Sequence, residues 1–520
     1  MRATLTMSKL ALLVLPLYAA AQPTANSSWG IVFDCGSSGT RAHIYYWTEG
    51  DAMSLSQFTP ANKSDEDKLQ ANPGISSFAS NPTGVTPYMA KLLTQAARWV
   101  PAKKQPTTRV RALSTAGMRL LDETEQAPIY SGIDDAILAT KFMYSKGDSQ
   151  TIAGEYEGIF NLLALQFILA KSPQPTAGPI VGGLDLGGAS TQITFRPESG
   201  VILNDAYRLV VNGTARRLFS HSYMHSGQAE AIKRYAQILA NSQPNDGGSE
   251  VVQLPSPCHN EGYNETFTLQ CAGQPCSRML VGSGNWTACK PYTNQLLNLD
   301  NECLLPPCAA HGVYQPPVTG VTFYAVSAFF FTANGTGLIG PEGKPTGLST
   351  VQLENAGDTW CKRPWAEAKA INSRGSDFCF SSAYIPSLLD AYRIPRDSTT
   401  SVIYANKIGG FSASWALGAM IFFMAEAKCT INADHTPGGG GGDCPVDLVT
   451  YEAMLPISII LALLLGGVCG GVAHYYYLKK RGKRTLMANQ PSLGQSFAPL
   501  EETEVGRAPA VDTRPPPSVQ

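Results

Sequence analysis

Apolar positions along this chain fall into short runs and longer helical stretches. Ile31-Val32-Phe33 and His43-Ile44-Tyr45-Tyr46-Trp47 are rich in β-branched and aromatic side chains, and predict two strands joined across a glycine turn. Residues 158–170 are apolar at helical spacing and predict a helix. A Pro- and Gly-containing linker, Ser172 to Gly178, then precedes a second strand–turn–strand, Gly183 to Phe195. The two Asp-x-Gly turns lie about 150 residues apart, which predicts two lobes of related design. The stretch 241–310 is rich in Cys, Asn, Pro and Gly and reads as a stapled insertion. Pro437 and Gly438–Gly442 read as a flexible loop. Residues 485–520, with their Pro and Ser, predict no packed structure.

Two further apolar stretches bear on location. Leu10 to Leu17 follows Arg2 and Lys9 and precedes the small residues Ala19-Ala20-Ala21, which predicts a cleaved secretory signal over 1–21. Its apolar run is too short to span a bilayer, which needs about 20 residues. Leu455 to Ala473 is long enough and carries no charge. His474, Tyr475, Tyr476 and Tyr477 follow as an interfacial belt, and then Lys479, Lys480, Arg481, Lys483 and Arg484. The positive-inside rule places that cluster in the cytosol. The expectation is a single-pass type I membrane protein held by one C-terminal helix, 455–473. Everything before Leu455 is then extracellular or lumenal, and 479–520 is a cytoplasmic tail. The sequons at Asn26, Asn62, Asn212, Asn264, Asn285 and Asn334 all precede the apolar segment, as this topology requires.

The cysteines point the same way. Cys469 lies in the apolar segment and Cys35 in a glycine turn; the other ten fall between residues 258 and 444. An even number on the lumenal side predicts five disulfides. Cys271-x4-Cys276 and Cys303-x4-Cys308 also fall within loose metal spacing, but no histidine pair accompanies them.

Composition narrows the function. At 520 residues the chain is long enough for two sizeable domains. With 39 basic and 40 acidic side chains it has no global field to attract nucleic acid. Any phosphate binding must come from local backbone geometry or a metal. The first turn, Asp34-Cys35-Gly36-Ser37-Ser38-Gly39-Thr40-Arg41, suits that task. Its glycines let backbone N–H groups turn inward as a nest for phosphate oxygens, and Ser37, Ser38 and Thr40 add hydroxyls. Asp34 would repel phosphate unless a divalent cation or its water stood between. The second turn, Asp185-Leu186-Gly187-Gly188-Ala189-Ser190-Thr191-Gln192, repeats the chemistry. Either turn alone reads equally well as an ordinary hairpin; two of them could clamp a polyphosphate and its metal. Between them, Gly154-Glu155-Tyr156-Glu157-Gly158 opens the apolar helix. A glutamate there can take a proton from an attacking water. Glu155 reads instead as charge complementing the helix dipole.

These segments resemble the conserved regions of the nucleoside triphosphate diphosphohydrolases, the apyrase or ecto-NTPDase family. The matching segments run in order: Asp34–Arg41, Leu113–Arg119, Glu157-Gly158, Leu184–Phe195, Gly312–Pro317, Phe323–Phe331 and Trp415–Gly418. They cover about residues 29–425. The resemblance implies an α/β fold of two ribonuclease-H-like lobes, as in actin, Hsp70 and sugar kinases, around a nucleotide cleft. The lobes would occupy 28–172, with a C-terminal return at about 426–450, and 173–425. It implies Glu157 as general base, with Ser190 and Gln192 positioning the water. Asp34 and Asp185 would hold Ca2+ or Mg2+ through its water shell, with Thr115 nearby. Ser37, Ser38, Gly39, Thr40, Thr115, Ala116, Gly187, Gly188 and Ala189 would cradle phosphates. Phe331 and Phe378 would sandwich the nucleobase with little regard to its identity. Cys303–Cys308, Cys361–Cys379 and Cys429–Cys444 would be disulfides, leaving Cys258, Cys271, Cys276 and Cys289 with three connectivities.

The implied activity is cation-dependent hydrolysis of the terminal phosphate of nucleoside tri- and diphosphates, with no phosphoenzyme. The chain departs from the family at Gly39, where cell-surface members commonly carry His, and at Leu162 and Gln166, where Trp and Asn are usual. Gly39 gives the first turn the look of endomembrane members, so an endomembrane UDP/GDP diphosphatase is the alternative to a cell-surface ATP/ADP enzyme. A kinase on the same fold would need an acceptor pocket. An inactive type I receptor domain would not need to keep Glu157, Ser190, Gln192 and both aspartates. The sequence leaves oligomeric state open.

Overall fold

The computed structural model describes residues 22–171, 181–211, 214–242, 251–271, 273–372, 374–433 and 448–449. The predicted signal, the linker from Ser172, the loop 437–442, the apolar segment 455–473 and the tail lie outside these residues. Among the described residues no helix is long and apolar enough to cross a membrane.

The first glycine turn joins β1 (Ser27–Cys35) to β2 (Thr40–Thr48). The strands are antiparallel, with Asp34 opposite Arg41 and Cys35 opposite Thr40. β3 (Asp51–Phe58) continues the meander, while β4 (Arg109–Ser114) and β5 (Ser149–Thr151) add in parallel on the far side of β1. Parallel additions need crossovers. Here they contain α1 (Val85–Trp99) and α2 (Glu123–Leu138). Val85, Met89, Leu92, Leu93 and Ala96 form one buried stripe on α1, and an Asp122–Glu125 capping box starts α2. Both helices pack on the Ile31 and Phe33 face of β1, whereas Val32 faces the opposite core. Side chains alternate across a strand, so Asp34 shares the Val32 face.

The second hairpin repeats the first. β6 (Val181–Leu186) pairs with β7 (Ser190–Phe195), with Asp185 opposite Gln192 and Leu186 opposite Thr191. β8 (Ala206–Val211) and β9 (Thr214–Met224) extend the antiparallel side; β10 (Thr322–Ser327) and β11 (Val402–Tyr404) extend the parallel side. The run β9-β7-β6-β10-β11 has the order and directions of β3-β2-β1-β4-β5. Leu184 and Leu186 enter the core of the second sheet, leaving Asp185 on the other face.

Two helices join the sheets. α3 (Gly154–Lys171) packs along the C-terminal helix Trp415–Ala433. Their shared core takes Val32, Tyr45 and Leu113 from the first sheet and Leu218, Tyr324 and Val326 from the second. Both aspartate-bearing faces therefore look toward α3. Of the return to the first lobe expected at 426–450, residues 426–433 finish the C-terminal helix, and Leu448–Val449 pairs instead with β8 at the edge of the second sheet, where strand N–H and C=O groups need partners.

The stapled insertion contains a three-stranded sheet, Val252–Ser256, Asn264–Cys271 and Gln274–Gly282. Disulfides join Cys258–Cys289, Cys271–Cys276, Cys303–Cys308 and Cys361–Cys379. The first two select one of the three open connectivities, and Cys444 lies outside the described residues. Asn26, Asn62, Asn264 and Asn285 are exposed and Asn334 is half-buried.

Leu162 is fully buried between the lobes. Leu162→Ala should destabilise the protein by about 2–5 kcal/mol. A chemical-denaturation midpoint that does not fall would contradict its place in that core.

Candidate active site

Both turns close on the same hydrogen bond. The Gly36 N–H donates to the Gly39 carbonyl at 2.9 Å, and the Gly187 N–H to the Ser190 carbonyl at 3.0 Å. The Thr115 N–H holds the first turn by donating to the Cys35 carbonyl at 3.2 Å. The second is held by the helix Gln228–Asn241: the Gln228 and Glu230 N–H groups donate to the Gly187 and Gly188 carbonyls at 2.8 and 3.0 Å. The turns come together across the lobes. A Cβ at Gly188 would lie 2.4 Å from Ser37 Oγ, so a side chain there would force the Ser37 hydroxyl to turn away. Ser38 is exposed and Ser37 half-buried; Gly39, Thr40, Thr115, Ala116 and Ala189 are buried.

Glu157 enters from the first turn of α3 and is buried. Gly158 lets that helix lie directly on β7, since a Cβ there would fall 2.3 Å from Thr194 Oγ1. Gln192 Nε2, with two hydrogens to donate, lies within hydrogen-bond distance of three acceptors: Ser190 Oγ at 2.7 Å, Ser222 Oγ at 2.9 Å and, longest, Glu157 Oε2 at 3.3 Å. Arg119 pairs with the Glu157 carboxylate and reaches Ser222 Oγ at 3.4 Å. The Gln192 carbonyl oxygen is buried with no protein partner among the described residues. Glu157, Ser190 and Gln192 thus meet in one cluster, as predicted. Arg119 and Ser222 complete it. Arg119 sits in a matched segment and could have been noticed as a cation among apolar neighbours; Ser222 carries no local signal.

Three carboxylates share this cleft. Burial pushes Glu157 up to about 8, against the opposing charge of Arg119, with Asp185 and Asp34 adding to the rise. Burial likewise raises Asp34 to about 6, offset by Arg41, whose Nη1 lies 3.8 Å from its Oδ2, and reinforced by Asp185. Asp185 is raised by burial, while the Ser327 hydroxyl and Arg41 favour its ionised form. Ser327 ends β10 with a left-handed φ of 56°. A non-glycine residue in that region is strained. No sequence feature marked it. Oxygen donors whose charges oppose one another in a buried cleft suit a hard divalent cation. Asp34 and Asp185 would flank it. Among the described residues no group of three or more His, Cys, Asp or Glu could hold an ion alone.

The two aromatic residues expected to sandwich a base lie on neighbouring helices. Phe331, on the helix Ala328–Gly335, is 46 % exposed, and its ring meets Phe330 at 5.6 Å. Phe378, on the helix Gly375–Ala391, is 4 % exposed, packed edge-on to Trp360 and against Gly335, one turn beyond Phe331. The rings are brought to one junction, but only Phe331 offers a free face.

Paired Asp turns and a buried, hydrogen-bonded glutamate form the candidate site, a set of groups suited to handling phosphate. The GDA1/CD39 (nucleoside phosphatase) family profile matches residues 21–435, and the chain belongs to that family. It is an enzyme that hydrolyses nucleotide phosphates. Ectonucleoside triphosphate diphosphohydrolase 1 of Mus musculus is 28 % identical over 431 residues, covering 76 % of this chain and 81 % of that protein. Ectonucleoside triphosphate diphosphohydrolase 8 of Gallus gallus is 30 % identical over 432 residues, covering 76 % and 82 %. A probable apyrase 6 of Arabidopsis thaliana is 28 % identical over 430 residues, covering 79 % and 74 %. Among solved structures, a nucleoside triphosphate hydrolase of Neospora caninum superposes with a TM-score of 0.51 at 15 % identity, over 77 % of this chain and 93 % of that one. The mixed α/β fold is shared with it.

The raised carboxylates fix a pH dependence. A group whose folded pKa exceeds its unfolded value stabilises the fold fully below the unfolded value, and that contribution is lost as pH rises through the folded one. In EDTA, the melting temperature should therefore fall between about pH 5 and about pH 8.5, and fall less for Glu157→Gln. Parallel profiles for the two proteins would contradict the placement of Glu157 in this cluster.

Proposed function

We propose that this cleft hydrolyses the terminal phosphate of nucleoside tri- and diphosphates by direct attack of water. The observation that carries the reading is Glu157, buried and held by Gln192 and Arg119 beside two glycine turns in contact across the lobes. We read the two sheets as ribonuclease-H-like lobes of the actin, Hsp70 and sugar-kinase kind.

Substrate phosphates lie between the turns, where the N–H groups and hydroxyls of Ser37, Ser38, Gly39, Thr40, Gly187, Gly188 and Ala189 receive them, with Thr115 and Ala116 alongside. The attacking water donates one hydrogen bond to the free Gln192 Oε1 and is fixed by the Ser190 hydroxyl. Glu157 takes its proton as the P–O bond forms, and the leaving nucleotide departs on the opposite side. Arg119 orients Glu157 and opposes its protonation. When bound, Ca2+ or Mg2+ between Asp34 and Asp185 supplies positive charge for the phosphate oxygens. The nucleobase lies on Phe331, and Phe378 backs it once its packing against Gly335 relaxes. The reaction takes place on the extracellular or lumenal side of a membrane, with the chain held by 455–473. One observation favours the endomembrane UDP/GDP reading: Gly39 has no space for the histidine common in cell-surface members, because a Cβ would lie 2.2 Å from Asn72 Oδ1.

Phosphate release from ATP, ADP, UDP and GDP should require Ca2+ or Mg2+ and cease in EDTA. Glu157→Gln should lower kcat by about 10²–10⁴-fold. Activity in EDTA, or a Glu157→Gln enzyme as fast as wild type, overturns the mechanism. Phe331→Ala should raise KM by about 5–100-fold on every substrate, since stacking is worth about 1–3 kcal/mol per base and tolerates any ring. An unchanged KM would remove Phe331 from the base site.

A further inference from the structure

A short segment outside the matched motifs lies along the first phosphate turn. Gln70–Ala71 pairs with Thr40–Arg41 at the start of β2. The Tyr88 hydroxyl then binds the carbonyls of Ala71 and Pro73, each at 2.7 Å. Gly74 presses on the turn itself: a Cβ there would lie 2.3 Å from the Ser37 carbonyl oxygen. The backbone on either side of Asn72 is thus pinned to the turn.

The Asn72 side chain lies where a side chain of residue 39 would stand. A Cβ at Gly39 would fall 2.2 Å from Asn72 Oδ1 and 2.8 Å from the Ala71 carbonyl oxygen. Asn72 is exposed, and its amide makes no hydrogen bond to protein among the described residues. An amide with two donors and an acceptor, held on fixed backbone beside a phosphate nest, is suited to an anionic oxygen.

We propose that Asn72 is a further substrate-binding and specificity residue, whose amide, standing with Oδ1 toward the turn, turns over to donate an N–H to the polyphosphate from the space that glycine at position 39 leaves open. The inference rests on the phosphate-turn reading above. Asn72 and Gly39 then act as one unit. A side chain at 39 displaces the Asn72 amide, and loss of the amide leaves the turn intact but with one donor fewer. The contact falls at one point along the polyphosphate, so tri- and diphosphates feel its loss unequally.

Full-length enzyme with Asn72→Ala, Gly39→Ala and the double change tests this. Asn72→Ala should raise KM for ATP about 10–150-fold, the loss of about one hydrogen bond to a charged group, with a smaller fall in kcat. The ratio of kcat/KM for ATP over ADP should shift at least about threefold, and the inhibition constant of inorganic tripolyphosphate should rise in step with KM. Gly39→Ala should lose more than about tenfold in kcat/KM, because its Cβ meets both the Asn72 amide and the Ala71 carbonyl oxygen, and adding Asn72→Ala to it should cost less than about twofold more, a coupling that independent sites do not show. Restoring a donor with Asn72→Ser should return part of the KM. The inference is overturned if Asn72→Ala leaves KM and the ATP/ADP ratio within about twofold of wild type, or if Asn72→Ala costs as much in the Gly39→Ala background as in wild type. Neither outcome touches the large kcat loss of Glu157→Gln, so failure here is distinct from failure of the hydrolase reading.

Discussion

A carboxylate removed from water keeps its charge only where another charge or a set of hydrogen bonds offsets the loss; otherwise it takes up a proton. This protein turns three carboxylates into one cleft, Asp34, Asp185 and Glu157, and gives them Arg41 and Arg119 as partial compensation. Much of the architecture serves to hold that arrangement. β1 and β6 present their aspartates on the faces turned from their own lobe cores. Gly158 lets α3 lie on β7 closely enough to bring Glu157 to Gln192, and the C-terminal helix from Trp415 seals the other side of α3. The repulsion that makes the cleft costly without a ligand also gives it affinity for a cation–phosphate complex, which brings the missing positive charge and the missing hydrogen-bond acceptors together.

The two hairpins share a register, so their differences are differences of task. Position by position, Gly39 corresponds to Ser190 and Arg41 to Gln192. In the first turn the last position is bare, and the cross-strand partner of the aspartate is a half-exposed cation. In the second, both positions carry hydroxyl or amide groups bonded into the Glu157 cluster. Under the proposed mechanism the first hairpin grips phosphate and the second aligns water. Repetition of the frame explains how both can face one substrate. Divergence at those two positions explains why the site is not symmetric.

How much of this was legible follows from which interactions are local. A turn between strands is written in consecutive residues, so Asp34, Asp185 and the glycines could be read directly. The face on which each aspartate stands follows from alternation along its strand. Glu157 at a helix start was equally visible. The partnerships of Arg119 and Ser222 were not, because their partners lie 38 and 30 residues away in the chain. The strain at Ser327 is a property of backbone angles that composition does not encode. Disulfides of the insertion divide the same way. Cys303–Cys308 followed from the family resemblance, whereas Cys271–Cys276, with the same five-residue separation, stayed open together with Cys258–Cys289, which spans 31, until the strands of the insertion were placed. The edge pairing of Leu448–Val449 with β8 depends on an unfilled sheet edge, which only the assembled sheet reveals.

The aromatic junction shows where local reading reaches its limit. Both rings were found by their neighbours in sequence, yet packing separates their roles. The Cys361–Cys379 disulfide ties the helix of Phe378 to the helix ending at Cys361, and Trp360 and Gly335 cover the ring. Phe331, four residues before Gly335, stands open on the same side of its helix. A base arriving at this junction meets one mobile face and one buried face. To use both it must displace the contact between Phe378 and Gly335, which leaves the disulfide-tied helix in place and shifts the shorter helix that carries Phe331. That short helix begins at strained Ser327, whose hydroxyl favours the ionised form of Asp185. Under the proposed base and metal sites, that one helix would stand between the two ends of the cleft.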